Sequence, residues 1–579
     1  MGSKIEDISL SKGGNRRVGG GWFPFLLLLI CFTFTNIQVF AGEVTDLVRV
    51  GITDNKFQNI LKQDVKLYAT SEAMICDKST RRMLVNIPAN TDISVKNSLS
   101  GLEVTISGTT SLLRDFVLIS PSGLIGVRDL KRKGVDAVYH GAFEVVQKSD
   151  HTGFYLVNLV EIQEYLKGVV PNEMPVRFGL EALKAQTVAA RNYVLTPRTQ
   201  AYEEFNVVDS VSSQVYFGAN TESDLATRAV METDGIVALY DNELILTLYS
   251  STAGGYTESY AYAFSDPTTK AFPSISKPYL VAVPDREHFG KLDEEENAKE
   301  FYKSKIPSFD IDSPYYRWQK KWAVGELENV LKKTLISQSK TGFVSPIFKE
   351  GDDLGHIKDI KVMKRGVSGK VIELDLMTTK GCYRISKELV IRRVFQKDGV
   401  SLPSANVVFE KELDSYGNVI DITAFGGGFG HGVGMSQFGA GYMATKMQQP
   451  YYNILRHYYT GISLGTRPVE VKDEPVKQTF WAPIGRAQIV IVGQVAPKIS
   501  VEINGKKEEF VVTKGLFQKE AKIDISRCIE DGANIIVFNP ATCPMKVYVE
   551  LVEKYQKLDA EEQEINWLEN VGEDNDSND

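Results

Sequence analysis

The sequence predicts an α+β protein: a mixed α/β core, β-rich segments ahead of it and inserted into it, and a C-terminal β-sandwich. Three observations predict this. Between residues 45 and 150, short runs rich in β-branched and aromatic residues alternate with turn residues. From about Gly179 to Leu195, the core positions Leu180, Leu183, Thr187, Ala190 and Val194 recur at helical spacing. After Pro468 the chain changes to dense short strands. Its 579 residues leave room for about three or four domains of about 150 residues each. A hydrophobic content of 43% and a charged content of 24% suit globular domains with real cores. The net charge of −8, with no basic stripe among aromatics, argues against a nucleic-acid partner.

Residues 1–41 read as an export signal. Lys4, Lys12, Arg16 and Arg17 precede the apolar run Trp22–Phe34, and Val39-Phe40-Ala41 sets up cleavage after Ala41. The run falls short of the ~20 residues a membrane span needs, so membrane attachment is expected only if this segment stays uncleaved. The protein is expected in the periplasm, the envelope or outside the cell.

The N-terminal β-rich domain, residues 45–150, begins with strands at Val48–Ile52, Val65–Tyr68, Leu84–Ile87 and Phe116–Ile119. A strand pair, Tyr139–Val145 and Phe154–Val160, leads into the core, residues 151–467. There a helix from about Glu161 to Gly168 and a second from about Gly179 to Leu195 bracket Glu173. The stretch Asp285–Leu335 has a charged, helical pattern with Trp318 and Trp322 as core anchors, and a further β unit spans Ile357–Ile385. Val471–Val476 reads as a linker to the sandwich module at residues 478–552, whose Asn504-Gly505 is a hairpin turn. Residues 559–579 are acidic and polar and expected to be disordered. Beyond Cys31, the cysteines Cys76, Cys382, Cys528 and Cys543 show no CxxC spacing, which speaks against structural zinc. Cys528 and Cys543 read equally as a disulfide, which export permits, or as two buried thiols.

The chemistry centres on Gly168-Val169-Val170-Pro171-Asn172-Glu173-Met174-Pro175. One carboxylate stands between two prolines, which stiffen the backbone. Its apolar neighbours disfavour the charged form, as a general acid working near neutral pH requires. The bland alternative is a solvated turn before a helix. On that helix Lys184 and Arg191 share a face with Val188 and either point together toward Glu173 or stand as two solvated cations. The Gly-rich stretch Gly426–Gly434 lacks the Gly-Lys-Ser/Thr ending of a nucleotide cradle. Glycine there is expected to allow close backbone approach to a ligand or another loop. His431 within it is either a packed histidine or a substrate contact. Ser436 beside His431 lacks the Gly-x-Ser-x-Gly context of a serine hydrolase.

The run from Glu164 through Arg191 resembles the stage II sporulation protein D family, also called the amidase-enhancer family. So do, in the same order, Ser213-Gln214-Val215-Tyr216, Tyr249-Ser250-Ser251-Thr252-Ala253-Gly254-Gly255-Tyr256-Thr257-Glu258, Pro278-Tyr279-Leu280 and Gly428–Ala440. The resemblance covers roughly Val48 to Gly461. It implies a peptidoglycan lytic transglycosylase that cuts peptide-denuded glycan between N-acetylmuramic acid and N-acetylglucosamine and leaves a 1,6-anhydro ring. The family's catalytic glutamate matches Glu173. Lys184, Gln186, Arg191, Gln214, Tyr216, Ser250, Thr257, Glu258, His431, Ser436 and Gln437 are the expected substrate-binding residues, several of them lining one groove around Glu173. In lytic cleavage the sugar's own 6-hydroxyl attacks, so one acid suffices; an ordinary glycosidase needs two carboxylates. Glu258 or Asp209 folding close to Glu173 would reopen hydrolysis. Some family members carry Cys and His just before the Gln-Val-Tyr motif. Here Val207–Ser213 holds neither, so no metal and no cofactor are expected. The alternative to an enzyme is a peptidoglycan-binding scaffold that enhances or positions a cell-wall amidase.

Overall fold

The computed structural model describes residues 46–196, 203–285, 290–483, 485–515 and 518–552; the expected export signal and acidic tail lie outside the described residues. Helices and several sheets together make an α+β fold. Among the described residues the helices are α1 (Ile162–Glu173), α2 (Leu180–Leu195), α3 (Asp224–Met231), α4 (Glu295–Lys303), α5 (Val324–Ser339), α6 (Glu388–Val394), α7 (Gln437–Thr445) and α8 (Tyr451–Tyr458).

The N-terminal strands form two sheets. One runs in the order Val207–Val208, Leu47–Gly51, Phe154–Glu161, Ala142–Gln147, Phe116–Ile119, Ala73–Asp77, Met83–Ile87. The other runs Val135–Tyr139, Ile125–Arg132, Asp64–Ala69, Ile93–Ser98, Gly101–Ile106, Thr109–Leu113. Alternation sends Leu67, Ala69, Val95 and Val104 inward, to one core with Val50, Ile75 and Leu118 of the first sheet. The expected boundary at residue 150 cuts through a hairpin: Ala142 pairs with Leu159 and Gln147 with Phe154. The strand Phe154–Glu161 therefore belongs to this unit and runs straight into α1.

α2 is the hub of the core, touched by α1, α3, α7 and α8. Its residues from Ala182 to Asn192 are all buried: the expected core positions Leu183, Thr187 and Ala190 are, and so is the face that carries Lys184, Val188 and Arg191. A helix surrounded by others has no solvent side, and its polar residues must find partners inside.

The inserted unit carries its own core, with Trp322, Leu327, Leu331, Leu374, Ile385, Ile391, Val407 and Ala424 all buried. Trp318–Ala323 is a strand paired with Val419–Gly426, a correction to the helical reading of that stretch. Trp322 anchors it by donating from Nε1 to the Gln396 carbonyl at 2.8 Å.

The C-terminal strands form the two layers of a sandwich, yet they do not form a separate module. The four-stranded layer is Val476–Ala482, Gly532–Phe538, Lys498–Ile503, Lys506–Val511. Asn504 (φ 49°) and Gly505 (φ 80°) turn its hairpin. The opposite layer runs Glu243–Leu244, Val237–Tyr240, Ser463–Gly465, Met545–Leu551, Ala487–Val492, Glu520–Asp524. Its first three strands come from the core, so the boundary at 478 divides a continuous sheet. Cys528 and Cys543 are free thiols.

Candidate active site

α1 starts directly after its strand because Glu161 caps it, accepting from the Gln163 and Glu164 amides. It then runs through Pro171 and ends at Glu173. The proline-bracketed loop of the sequence reading is thus the last turn of a helix. Pro171 has no N–H, and Pro175 opens the short turn Val176–Phe178 that leads into α2.

Glu173 is half-buried. One carboxylate oxygen accepts the Val215 amide at 2.5 Å, and the Tyr249 hydroxyl bonds to the same carboxylate. Burial dominates both contacts and pushes the carboxyl up to about 7. The negative end of the α1 dipole acts in the same direction. The Glu173 main-chain carbonyl, left unpaired by the end of the helix, accepts Gln437 Nε2 at 2.9 Å. Gln437 Nε2 also reaches Gln186 Oε1 at 3.2 Å. Gln214 donates to the Tyr249 hydroxyl at 3.1 Å and accepts from Tyr165 at 2.9 Å. Glu173, Gln437, Gln186, Tyr249 and Gln214 therefore form one hydrogen-bonded cluster.

Tyr249 links this cluster to the Gly-rich loop. The strand Tyr249–Ser250 pairs in parallel with Met435–Ser436, and the Tyr249 main chain hydrogen-bonds the His431 ring. His431 Nδ1 accepts the Val433 amide at 3.0 Å, so the neutral ring carries its proton on Nε2. Burial, then Lys370 and Arg392, push His431 down to about 3. It stays neutral at working pH and can hydrogen-bond but cannot serve as an acid. Ser250 lies under the same loop, with Gly430 pressed against it.

The other expected site residues have their side chains engaged within the fold. Lys184 bridges Glu181 (2.7 Å) and Glu232 (2.8 Å). Arg191 donates to the Thr233 and Ile236 carbonyls at 2.7 and 2.8 Å, and burial pulls it down to about 10. The two cations do share a face, but it holds the turn after α3. Tyr216 is buried, bonded to Asn158 at 2.8 Å. Thr257 binds the Val283 main chain. Ser436 caps α7. Glu258 is fully buried and holds the inserted unit by accepting the Ser368 hydroxyl at 2.7 Å. Asp209 pairs with Arg132 at 2.5 Å and takes the Thr53 hydroxyl at 2.6 Å. Both carboxylates thus have partners of their own within the fold. The sequence reading missed Tyr249, although it is the first residue of a quoted motif, and the Val215 amide, which no side-chain pattern announces.

At the expected metal-free stretch, Ser213 Oγ accepts the Val208 amide and Ser210 bonds Ser212. Elsewhere, His140, Glu164 and Glu222 place donor atoms within 4.8 Å of one another. His140 Nε2 lies 2.9 Å from Glu222, and Lys167 binds Glu164 at 2.6 Å. The Glu222 contact raises the His140 pKa above its ordinary value. These three groups could hold a metal ion, and Lys167 stands beside them as a cation of the same cluster.

A family model described as stage II sporulation protein matches residues 150–240, and one for a domain of unknown function matches residues 266–434. The chain is 31% identical over 305 residues to the amidase enhancer of Bacillus subtilis (strain 168), covering 52% of this chain and 40% of that protein. It is 29% identical over 324 residues to stage II sporulation protein D of the same strain, covering 53% and 75%. The corresponding protein of Bacillus amyloliquefaciens is 29% identical over 338 residues, covering 55% and 77%. The match thus spans well under half of the amidase enhancer and about three quarters of the two sporulation proteins. The first of these models covers α1, α2 and the Val215 contact to Glu173, and together these findings support the stage II sporulation protein D/amidase-enhancer family.

Proposed function

We propose that this protein is an exported peptidoglycan lytic transglycosylase that cleaves peptide-denuded glycan with Glu173 as its one general acid/base. The observation that carries this reading is the Glu173 carboxyl, pushed up to about 7 by burial, while Asp209 and Glu258 are held by partners of their own. A group poised near neutral pH can both give and take a proton. Protonated Glu173 donates to the glycosidic oxygen as the bond from C1 to that oxygen breaks. The muramic acid 6-hydroxyl attacks C1, forms the 1,6-anhydro ring and gives its proton to the Glu173 carboxylate, which restores the acid. The Val215 amide and the Tyr249 hydroxyl stabilise the carboxylate formed between the two proton transfers.

The test is mass analysis of products from peptide-free glycan strands. Glu173→Gln should lower the rate by ~10²–10⁴-fold with the fold intact. Wild-type activity should fall as pH rises through about 7 and the acid form disappears. Full activity of the variant removes Glu173 from this role.

One observation favours a second reading: the 31%-identical relative is an amidase enhancer. Under it, the protein binds glycan without cutting it and assists a cell-wall amidase. Strands retained but never shortened, together with a faster partner amidase, would select this reading.

A further inference from the structure

We propose that Tyr315 and Phe429 form a carbohydrate-stacking subsite that grips the glycan strand away from the scissile bond, an inference that rests on the glycan-cleaving reading of Glu173. The two ring centroids lie 4.3 Å apart, with the planes tilted by 34°. Phe429 is 40% exposed and Tyr315 38%. An aromatic pair at the surface forgoes burial that would stabilise the fold, which marks the position as one kept for contact.

The mount beneath the rings is stiff. The Phe429 amide donates to the Thr252 carbonyl at 2.9 Å, and the Thr252 amide returns the bond at 3.3 Å. The Gly428 amide donates to the Tyr315 carbonyl at 2.8 Å. Ser313 Oγ accepts the Tyr315 amide at 3.1 Å and meets the Thr252 hydroxyl at 2.6 Å. Trp318 Nε1 holds the Gly428 carbonyl at 3.1 Å. Rings fixed in this way lose little freedom on binding.

The site's place in the chain fits a polymer lying across Glu173. Thr252, which carries Phe429, stands three residues beyond Tyr249, whose hydroxyl bonds Glu173. Three residues of chain span at most about 10 Å of backbone, so both contacts belong to one strand-and-loop unit, as a subsite for a strand several sugars long requires. The ligand class follows from the rings. A pyranose presents a face of C–H groups, apolar and slightly positive, which suits the negative face of an aromatic ring. Phe429 belongs to the Gly-rich loop, whereas Tyr315 comes from the segment just before the strand Trp318–Ala323, so two segments distant in sequence build the subsite.

The experiment measures anisotropy of end-labelled, peptide-free glycan strands with the Glu173→Gln protein, which holds them uncut. Adding Phe429→Ala or Tyr315→Ala should weaken binding about three- to tenfold with the melting temperature unchanged. Adding Phe429→Trp should restore it. Equal affinity in all four proteins overturns the subsite and leaves the role of Glu173 standing. A loss that tracks a lower melting temperature and is not rescued by tryptophan makes the pair structural and also overturns it. A Glu173→Gln protein that binds no strand takes down this inference and the glycan-cleaving reading together.

Discussion

Glu173 shows how surroundings change the acid–base behaviour of one residue type. Its carboxyl is poorly hydrated, sits at the negative end of α1, and has two hydrogen bonds that only partly compensate. This has a stability consequence with a definite sign. The unfolded chain ionises near 4.5 and the folded one near 7. Ionisation therefore favours the unfolded state increasingly as pH rises across that window. Stability fully present below 4.5 is lost as pH rises through about 7, by about 3 kcal/mol at full ionisation. Glu173→Gln removes the ionisable group, so its melting temperature should rise relative to wild type between pH 5 and pH 8. Parallel melting curves across that range would show that the carboxyl is not desolvated. Lys184 and Arg191 show the converse. Both carry the charge expected of a substrate contact, and burial spends it on Glu232 and on the Thr233 and Ile236 carbonyls.

At the scale of elements, the site depends on close contacts that sequence patterns do not report. The parallel pair Tyr249–Ser250 and Met435–Ser436 places Tyr249 between Glu173 and His431. Gly434 permits it: its φ is 72°, and a Cβ there would lie 2.1 Å from the Leu248 carbonyl oxygen. Gly434→Ala should cost at least about 2 kcal/mol in chemical denaturation and reduce cleavage by displacing Tyr249. Gly342 has a similar φ of 78° with nothing within 4 Å, so Gly342→Ala should cost only about 1 kcal/mol. Equal costs for the two substitutions would mean that the contact at Gly434 is not tight. The α1 terminus teaches a related lesson. Proline normally ends a helix, and the sequence reading stopped the helix at Gly168. The structure carries the helix five residues further, to Glu173, with Gln437 capping the carbonyl there.

For the whole molecule, the decisive fact is that the C-terminal strands complete a core sheet. Met545–Leu551 pairs with Ser463–Gly465 and Val469–Val471, and Ala487–Val492 pairs with Met545–Leu551. Phe480, Ile489, Ile499 and Val549 share one buried cluster with Val50, Leu166 and Ala189. A chain ended after Pro468 would expose this surface and should lose its cooperative thermal transition, followed by circular dichroism. A truncated chain that melts at the wild-type temperature would restore the independent module. The inserted unit behaves differently, since it has its own core and reaches the site through Glu258 and the Gly-rich loop.

The sequence by itself determined the α+β class, most strands, the two helices around the acid and the family likeness. These rest on local signals: alternation, helical spacing and motif order, each readable within a short window. It also pointed to Glu173, because proline and apolar neighbours are local too. Only the tertiary structure decided the rest. It showed that α2 is buried from Ala182 to Asn192, that the strand pairs cross both the 150 and the 478 boundaries, and that Glu258 and Arg191 bond to partners within the fold. It also joined Tyr249, the Val215 amide and Gln437 to Glu173. Each of these depends on residues far apart in sequence, Gln437 and Glu173 by 264 positions. No single window holds both partners of such a contact.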